Sequence, residues 1–501
     1  MKLTNKYFKR IPAIVGLSIL MFLTSCEKDL IETPYDRFSE ISFYKTPADA
    51  KLAVTAVYSS LNKNGYDAIY GSGAGSVIVQ SSATTDELIC SWGDPVWIPY
   101  YQLNFFEDFP NGQLGLLYSS IMPAVTNATI TIDKLNGMTS LSTEEKSRYI
   151  AEVKALRAHY AWQLYNFYGP VGLRLDATEA QNPAAKPIPR MTKEAMVAQI
   201  EKDYTEAIAG LPTAMQQDKA DYGRMTKDIC LMGLVKLYMH EKRWPEVITN
   251  CRTLQGMGHS LEPNYANIFT IENNGNNQEK IFAISSRMDA AFTNIWLAHA
   301  LPGNYVDPSG KALTQWGGYK MPWKTYDKFD QNDKRLTRLL AKWPTYGGQT
   351  FDARANGYKG AIPMKYGIDP NAPGENTGVD IVVWRYSDVL LSLAEAINET
   401  AGPTTEAYDL VTQVRKRAGL DALPAGLSKD QFRSKLMDER LFEFWFEGGN
   451  RREDMIRWGT YIQRALDDGS TFAKPEFVLY PIPRKAINET NGVIKQNPGY
   501  N

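Results

Sequence analysis

The sequence predicts a mainly α-helical protein, with a tetratricopeptide-like helical superhelix, long loop-rich insertions and a few short strands. Apolar residues recur at spacings of three and four in many segments, which is the pattern of amphipathic helices. Several such segments are joined in pairs by short polar connections, although no strict 34-residue repeat is present. Two long regions, 64–112 and 257–383, lack this periodicity and are rich in Gly, Asn, Pro and aromatic residues.

The first half of the chain carries well-marked helix signals. Ser142-Thr143-Glu144-Glu145 has the form of a capping box, and the apolar spacing that follows it continues to Gly169-Pro170. A second helix is predicted over 197–211. A third ends near Lys242-Arg243, and a fourth opens directly afterwards at Trp244-Pro245, with Pro tolerated in its first turn. The last two form a helix pair with a tight connection.

Further helical stripes are predicted over 386–397, 407–418 and 432–446. In the second loop-rich region, the apolar run Ile281-Phe282-Ala283-Ile284 predicts one short strand. Long loops of this kind inside a compact protein are usually functional. We therefore expect any binding site to lie on 64–112 and 257–383 rather than on the helices.

The N-terminal residues have the form of an export signal. A positive segment containing four basic residues precedes an apolar stretch over 11–23, which is too short for a comfortable membrane span. It ends in Leu23-Thr24-Ser25-Cys26, which resembles a bacterial lipobox. We predict a signal peptide over 1–25, a lipid on Cys26 (palmitate or a similar acyl chain), and a lipid-anchored tether over 26–45. The alternative is an ordinary secretory signal with a chance cysteine.

Charge and composition exclude several classes of partner. Basic residues number 55 and acidic residues 56, for a net charge of −1, which argues against a nucleic-acid partner. Removing the leader with its four basic residues would leave the mature chain with a net charge of −5. A negative net charge also disfavours strongly anionic ligands. With four Cys and four His, neither a multi-metal site nor a disulfide scaffold is expected. No cofactor and no metal site are predicted.

Five separated groups of segments carry patterns whose order and spacing are specific, although each pattern alone is weak. They are Ser42-Phe43-Tyr44-Lys45-Thr46 with Asp49-Ala50; Leu156-Arg157-Ala158 with Tyr168-Gly169-Pro170; Trp384-Arg385-Tyr386-Ser387-Asp388 with Ala394-Glu395-Ala396; Glu439-Arg440 with Glu443-Phe444, Glu447-Gly448, Asp454 and Arg457-Trp458-Gly459; and Tyr480-Pro481-Ile482-Pro483 with Gln496-Asn497-Pro498-Gly499. Together they resemble the SusD/RagB family of outer-membrane nutrient-binding lipoproteins.

The resemblance implies a tetratricopeptide-like scaffold with a loop-rich ligand face. It implies capture of a glycan (an oligo- or polysaccharide) at the cell surface, anchored to the outer membrane by lipid, as the lid of a TonB-dependent, SusC-like transporter. On this basis we expect an N-terminal helical region over 46–256, a loop-rich ligand face over 257–383, and a C-terminal helical region over 384–501.

Aromatic residues are concentrated in both loop-rich regions, where they are not at helical spacing. Sugar binding uses aromatic faces for the C–H surfaces of pyranose rings, so such residues are candidate binding surfaces. We predict that six of them are exposed and bind the glycan: Trp92, Trp97, Tyr101, Trp296, Trp316 and Tyr319. Five others are predicted to pack into the core: Phe105, Phe106, Phe292, Tyr326 and Phe329.

Two alternatives to a non-catalytic glycan-binding protein stay open. A glycoside hydrolase would need a pair of carboxylates in a cleft, and any chain with 56 acidic residues offers candidates. A purely protein-binding helical repeat would need no aromatic ligand face. Catalytic residues are not predicted, because the sequence has no Gly-x-Ser-x-Gly elbow and no Cys/His pair at a telling spacing. The charge-dense segment around Arg440 and Asp454 is predicted to form structural ion pairs.

Overall fold

Helices make up about half of the described chain. A computed structural model describes residues 43–500 apart from 64, 65, 67, 94, 95, 107–111, 276 and 373. Cys26, the leader and nearly all of the tether lie outside the described residues. Seventeen α-helices occur in the part that is described. Among those residues, none of the helices combines the length and the apolar character that crossing a membrane requires.

The helices follow one another along the chain as paired, packed elements. They are α1 (Pro47–Tyr58), α2 (Val77–Ala83), α3 (Trp97–Tyr101), α4 (Gln113–Gly137), α5 (Thr143–Tyr168), α6 (Ala177–Gln181), α7 (Lys193–Gly210), α8 (Lys227–His240), α9 (Trp244–Gln255), α10 (Trp296–Ala300), α11 (Trp323–Tyr326), α12 (Tyr386–Ala401), α13 (Thr405–Arg417), α14 (Lys429–Phe444), α15 (Asn450–Trp458), α16 (Tyr461–Asp467) and α17 (Arg484–Glu489).

Long helices pack in series, which confirms the predicted superhelical scaffold. Helix α4 packs on α5, α5 on α7, α7 on α8 and α8 on α9. The series continues from α9 to α12, and α12 packs on α13 and α14. The predicted capping box starts α5: the Ser142 hydroxyl accepts a bond from the Glu145 amide, and the Glu145 carboxylate accepts one from the Ser142 amide. Gly169, with φ of +70°, ends the same helix.

Short strands occur only outside this helical series in the described chain. They are β1 (Ile89–Cys90), β2 (Lys280–Ile284), β3 (Tyr319–Pro322), β4 (Leu339–Leu340), β5 (Lys342–Pro344), β6 (Thr350–Asp352), β7 (Gly360–Pro363) and β8 (Ile381–Arg385). The strand order of the four-stranded antiparallel sheet is β1-β3-β7-β4. Strand β2 contains the predicted strand and pairs with β8, while β5 and β6 pair with each other.

The N-terminal and C-terminal parts share one buried core. His159 in α5 is fully buried, and its Nε2 lies 2.8 Å from the Tyr70 hydroxyl. Its ring packs edge-on against Trp384 at 5.2 Å and against Phe282 at 5.3 Å. Burial lowers the pKa of His159 to about 3, so this histidine is neutral at physiological pH. It serves as a core residue rather than as a base.

The charge-dense C-terminal segment folds into buried ion pairs, as predicted. Arg440 of α14 is 1% exposed and donates to Asp454 of α15 at 2.7 Å and to Asp388 of α12 at 2.9 Å. Asp454 also accepts from Arg457 at 2.8 Å. Burial alone would raise the pKa of Asp454, but Arg440, Arg457 and Lys236 together lower it well below its usual range. These groups join four helices, α8, α12, α14 and α15, through buried ion pairs.

Replacing Arg440 by Ala should destabilise the fold rather than remove a binding contact. The variant leaves Asp388 and Asp454 buried without their shared cation, which costs about 3–5 kcal/mol of unfolding free energy. Chemical denaturation followed by circular dichroism measures this cost. Lys435→Ala is the matched control, because Lys435 is exposed on the same helix. Equal stability of the two variants would contradict a structural role for Arg440.

Candidate functional site

An open cleft of about 780 Å³ lies where the two loop-rich regions meet. We call it the aromatic cleft. Its wall combines partly exposed rings with polar groups and glycines. The lining residues are Ile89, Cys90, Ser91, Gly93, Trp97, Ile98, Tyr101, Gln102, Pro302, Gly303, Trp316, Gly317, Lys320, Asn356, Gly357, Tyr358, Lys359 and Asp468.

Backbone pairing holds the two sides of the aromatic cleft together. Strand β1 pairs with β3, with Cys90 opposite Tyr319. Beyond the strand, the Ser91 amide donates to the Gly318 carbonyl at 2.9 Å, and the Trp92 indole donates to the Trp316 carbonyl at 3.0 Å. A side chain at Gly318 would place its Cβ 2.4 Å from the Trp92 ring, so only glycine fits there. The two loop-rich regions therefore lie side by side.

Four of the six predicted binding aromatics have accessible surface at or beside the aromatic cleft. Trp97, Tyr101 and Trp316 line it, and each is partly exposed. Trp92 is 43% exposed and packs edge-on against Trp97, with ring centroids 5.8 Å apart. Trp97 and Tyr101 occupy the two ends of the five-residue helix α3, so one short element presents both rings. Asp94 and Pro95, which precede it, lie outside the described residues.

The prediction that Trp296 and Tyr319 are exposed is wrong. Trp296 is 1% exposed, and its indole donates to the Pro363 carbonyl at 2.9 Å. Tyr319 is fully buried, and its hydroxyl donates to the Ser72 carbonyl at 2.6 Å. The two rings lie 5.3 Å apart, and Tyr319 lies 5.6 Å from both Trp92 and Trp97. They form the supporting layer beneath the accessible rings, because Tyr319 lies on strand β3 and Trp296 begins helix α10, and both elements are buried along their whole length.

The predicted core aromatics divide differently from expectation. Phe105 and Phe329 are each 3% exposed, as predicted, whereas Phe106 is 42% exposed, so its assignment to the core was wrong. Phe292 and Tyr326 are half-buried.

Sequence reasoning did not find three further contributors to the aromatic cleft. His299 stacks on Tyr319 at 5.0 Å and meets Trp316 edge-on at 4.8 Å, so it spaces the accessible rings from below. The Tyr66 ring lies 5.9 Å from the Trp316 ring, and Tyr358 also lines the aromatic cleft. Only the presence of these rings in the loop-rich regions hinted at them, because no spacing rule connects residues so far apart in the chain.

Polar groups at the aromatic cleft differ in how their charges are balanced. The Tyr101 hydroxyl donates to Asp468 at 2.9 Å, and Lys324 donates to the other oxygen at 2.6 Å. Burial favours a raised pKa for Asp468, but these two hydrogen bonds and the nearby cations lower it, so the carboxylate stays ionised. Lys320 is 4% exposed and donates to the Ser91 hydroxyl and the Gly317 carbonyl, both at 2.7 Å. Burial lowers the pKa of Lys320 to about 8.

Metal-ligating side chains are not grouped in the described chain: no three His, Cys, Asp or Glu residues there are placed to share an ion. In the acidic segment 369–380, two carboxylates instead accept hydrogen bonds from the protein itself. Asp369 accepts from the amides of Asn371 and Gly378 at 2.9 and 2.8 Å, and Asp380 accepts from the Tyr222 hydroxyl at 2.6 Å. These contacts account for the acidic residues as loop-forming groups.

A buried acid lies beneath the supporting layer. Glu87 is 2% exposed; one oxygen accepts from the Ser82 hydroxyl at 2.9 Å and from the Phe446 amide at 3.3 Å. The other oxygen has no hydrogen-bond partner in the described chain. Burial raises the pKa of Glu87 to about 8, against a usual value near 4.5. Phe446 in turn packs on Trp296 at 5.1 Å, which connects this acid to the floor of the aromatic cleft.

Stability should therefore decline with rising pH through Glu87. The folded chain keeps the proton until about pH 8, while the unfolded chain releases it near pH 4.5, so the contribution is complete below pH 4.5 and is lost by pH 8. Glu87→Gln keeps the neutral hydrogen-bonding shape at every pH. The difference in unfolding free energy between the variant and the natural chain should grow by about 3–5 kcal/mol from pH 4 to pH 8. A difference independent of pH would show that Glu87 is ionised in the folded state.

Two family models match the chain in consecutive segments. The model described as "SusD family" matches residues 272–500, and the model described as "Starch-binding associating with outer membrane" matches residues 45–239. Together these matches include most of both helical regions and both loop-rich regions.

Individual relatives are similar over nearly their whole lengths. The SusD-like protein P25 of Formosa agariphila is 24% identical, over 97% of this chain and 98% of that protein. Surface glycan-binding protein A of Bacteroides thetaiotaomicron, solved in complex with laminarihexaose, is 22% identical with a TM-score of 0.74, covering 90% of this chain and 100% of that one. A SusD homologue from the same species reaches a TM-score of 0.78 at 21% identity, over 92% and 99%. The chain belongs to the SusD/RagB family.

Proposed function

We propose that this protein is a non-catalytic, lipid-anchored surface protein that binds a glycan in the aromatic cleft and delivers it to a TonB-dependent, SusC-like outer-membrane transporter. The observation that carries the proposal is the group of accessible rings at Trp92, Trp97, Tyr101 and Trp316, held by backbone pairing between two loop-rich regions. Such a surface offers flat apolar faces beside hydrogen-bonding groups, which is what a chain of sugar rings requires.

The affinity expected from this arrangement is modest. Each accessible ring contributes on the order of 1 kcal/mol through stacking and desolvation. Three or four rings and a few hydrogen bonds correspond to dissociation constants of roughly millimolar to micromolar. Weak binding suits a protein that must release its ligand to a transporter. The names of relatives support the same ligand class, since one was solved with laminarihexaose and another is called a laminarin-binding SusD-like protein.

Hydrolysis is the weaker alternative for the aromatic cleft. Glycoside hydrolases use two carboxyl groups about 5–9.5 Å apart, one of them with a raised pKa. Among the described lining residues only Asp468 has a carboxylate, and hydrogen bonds and neighbouring cations lower its pKa. A group held in the ionised form is unsuited to act as a general acid. Incubation with polysaccharides followed by a reducing-end assay tests this alternative, and we expect no release of reducing ends.

Removing single rings should separate binding from stability. Trp97→Ala and Trp316→Ala should each weaken glycan retention in affinity gels several-fold, because each deletes an accessible face. Trp296→Ala should instead lower the unfolding free energy by about 3–5 kcal/mol, since Trp296 is buried.

Tyr346→Ala is the matched control for those variants. Tyr346 is 76% exposed and does not line the aromatic cleft, so its loss should change neither binding nor stability. Full retention by both the Trp97 and Trp316 variants would place the glycan elsewhere on the protein.

Membrane attachment should depend on Cys26. The lipobox-like sequence Leu23-Thr24-Ser25-Cys26 motivates the variant Cys26→Ala, which lacks the acylated thiol. It should appear in soluble fractions, whereas the natural chain should sediment with outer membranes and co-purify with a large TonB-dependent barrel in mild detergent. Cys251→Ala is the control, because Cys251 is a buried core thiol. Outer-membrane recovery of the Cys26 variant would refute the anchor, and repeated isolation of the natural chain alone would refute the transporter partner.

A further inference from the structure

The aromatic cleft contains two lysines whose positive charges lack an anionic partner among the described residues. Lys320 on β3 is 4% exposed and gives its hydrogen bonds to neutral acceptors, the Ser91 hydroxyl and the carbonyls of Gly317 and Gly318. Lys359, just before β7, is exposed at the edge of the same space. Neither lysine forms an ion pair with any carboxylate of the described chain.

Asp468, the acidic residue of the described lining, does not balance these lysines. Its oxygens receive hydrogen bonds from Tyr101 at 2.9 Å and Lys324 at 2.6 Å, and Arg464 lies 3.7 Å away. Two cations therefore already compensate the one carboxylate. The remaining charge of the aromatic cleft is positive, even though the whole chain has a net charge of −1. An average over the chain thus hides a local surface of the opposite sign.

A buried cation without a counter-charge is costly in folding, because burial removes its hydration. Burial accordingly lowers the pKa of Lys320, and the neighbouring Cys90 thiol offsets only part of that shift. The Lys320 ammonium also lies 5.4 Å from the centre of the Tyr358 ring, which lines the same space. An anion placed between the rings would supply the missing charge.

We propose that the glycan bound in the aromatic cleft is anionic: Lys359 contacts its carboxylate or sulfate groups, Lys320 adds positive charge from within the wall, and the accessible rings bind its sugar faces. This inference rests on the proposed glycan-binding function and narrows its substrate class. The shared chemistry is a fixed negative charge on a sugar ring; a uronic acid and a sulfate ester are its two sources.

The test is affinity electrophoresis of the mature chain through gels containing neutral, carboxylated or sulfated polysaccharides. Each retained charged polysaccharide is compared with its own carboxyl-reduced or desulfated form, so that only the charge differs. We expect retention by charged polysaccharides, its loss on removal of the charge, and its weakening with added salt. Whether carboxyl reduction or desulfation abolishes retention identifies the source of the charge.

Lysine variants test the residues directly. Lys359→Gln should weaken retention of the charged polysaccharide about two- to five-fold, as expected for an exposed ion pair, and Lys359→Arg should restore it. Lys320→Met should weaken it by roughly ten-fold or more, because it removes a buried positive charge that solvent screens little. Lys435→Gln, which changes an exposed lysine on α14, is the charge-matched control and should bind like the natural chain. If the Lys320 variant folds poorly, the comparison of Lys359→Gln with Lys359→Arg still decides the test.

The outcomes separate this inference from the function on which it rests. Retention by neutral polysaccharides that is lost in Trp97→Ala but unaffected by either lysine variant would overturn the anionic ligand and leave glycan binding intact. Retention that survives removal of the charge would do the same. Retention by no polysaccharide of any class would overturn both proposals.

Discussion

The fold depends on a set of arginines and carboxylates buried together between the helices and the loop-rich regions. The Arg385 guanidinium, at the end of β8, donates hydrogen bonds to three carboxylates. They belong to Glu279, just before β2, to Glu443 in α14, and to Glu447, just after α14. Burial alone would raise the pKa of Glu443, but Arg385, Arg417 and Arg335 hold it well below its usual range. Because none of these charges can be left alone in the core without a large penalty, the strands, the loops and α14 must dock together or not at all.

This constraint explains what the family-like segments of the sequence do. Residues 384–388, 439–447 and 454–457 contribute the paired charges, so the most recognisable patterns encode assembly of the scaffold and not ligand contact. A further buried ion pair connects the scaffold to the aromatic cleft. Arg451 of α15 donates to Asp86 at 2.7 Å. This ion pair therefore holds the segment leading into β1 against α15.

Periodicity predicted α5, α12 and α13, although only α13 alternates buried with exposed positions. Helix α12 is buried at every position from Tyr386 to Asn398, and most of α5 is buried on all sides. Periodicity missed α4, where Pro123 lies inside the helix and Thr and Ile residues weaken the helical signal. It also placed the end of the last predicted helix two residues too late, at residue 446. Helix α14 ends at Phe444, and Phe446 has a φ of +55°, which a helix does not allow. At the site, composition located the aromatic segments, but it could not predict that Trp92 is exposed and Trp296 is buried. That difference depends on which ring lies above β3, a tertiary fact that local spacing does not encode.

The pairing of β1 with β3 joins residues more than two hundred positions apart, as the bond from Ser91 to Gly318 shows. A contact of such long range carries a larger loop-closure cost than the local contacts within a helix. The aromatic cleft thus exists only in the completed chain, and a glycan that touches both sides binds the native state alone. A glycan bound there as proposed would stabilise the folded chain by a free energy that grows with the logarithm of the ligand concentration.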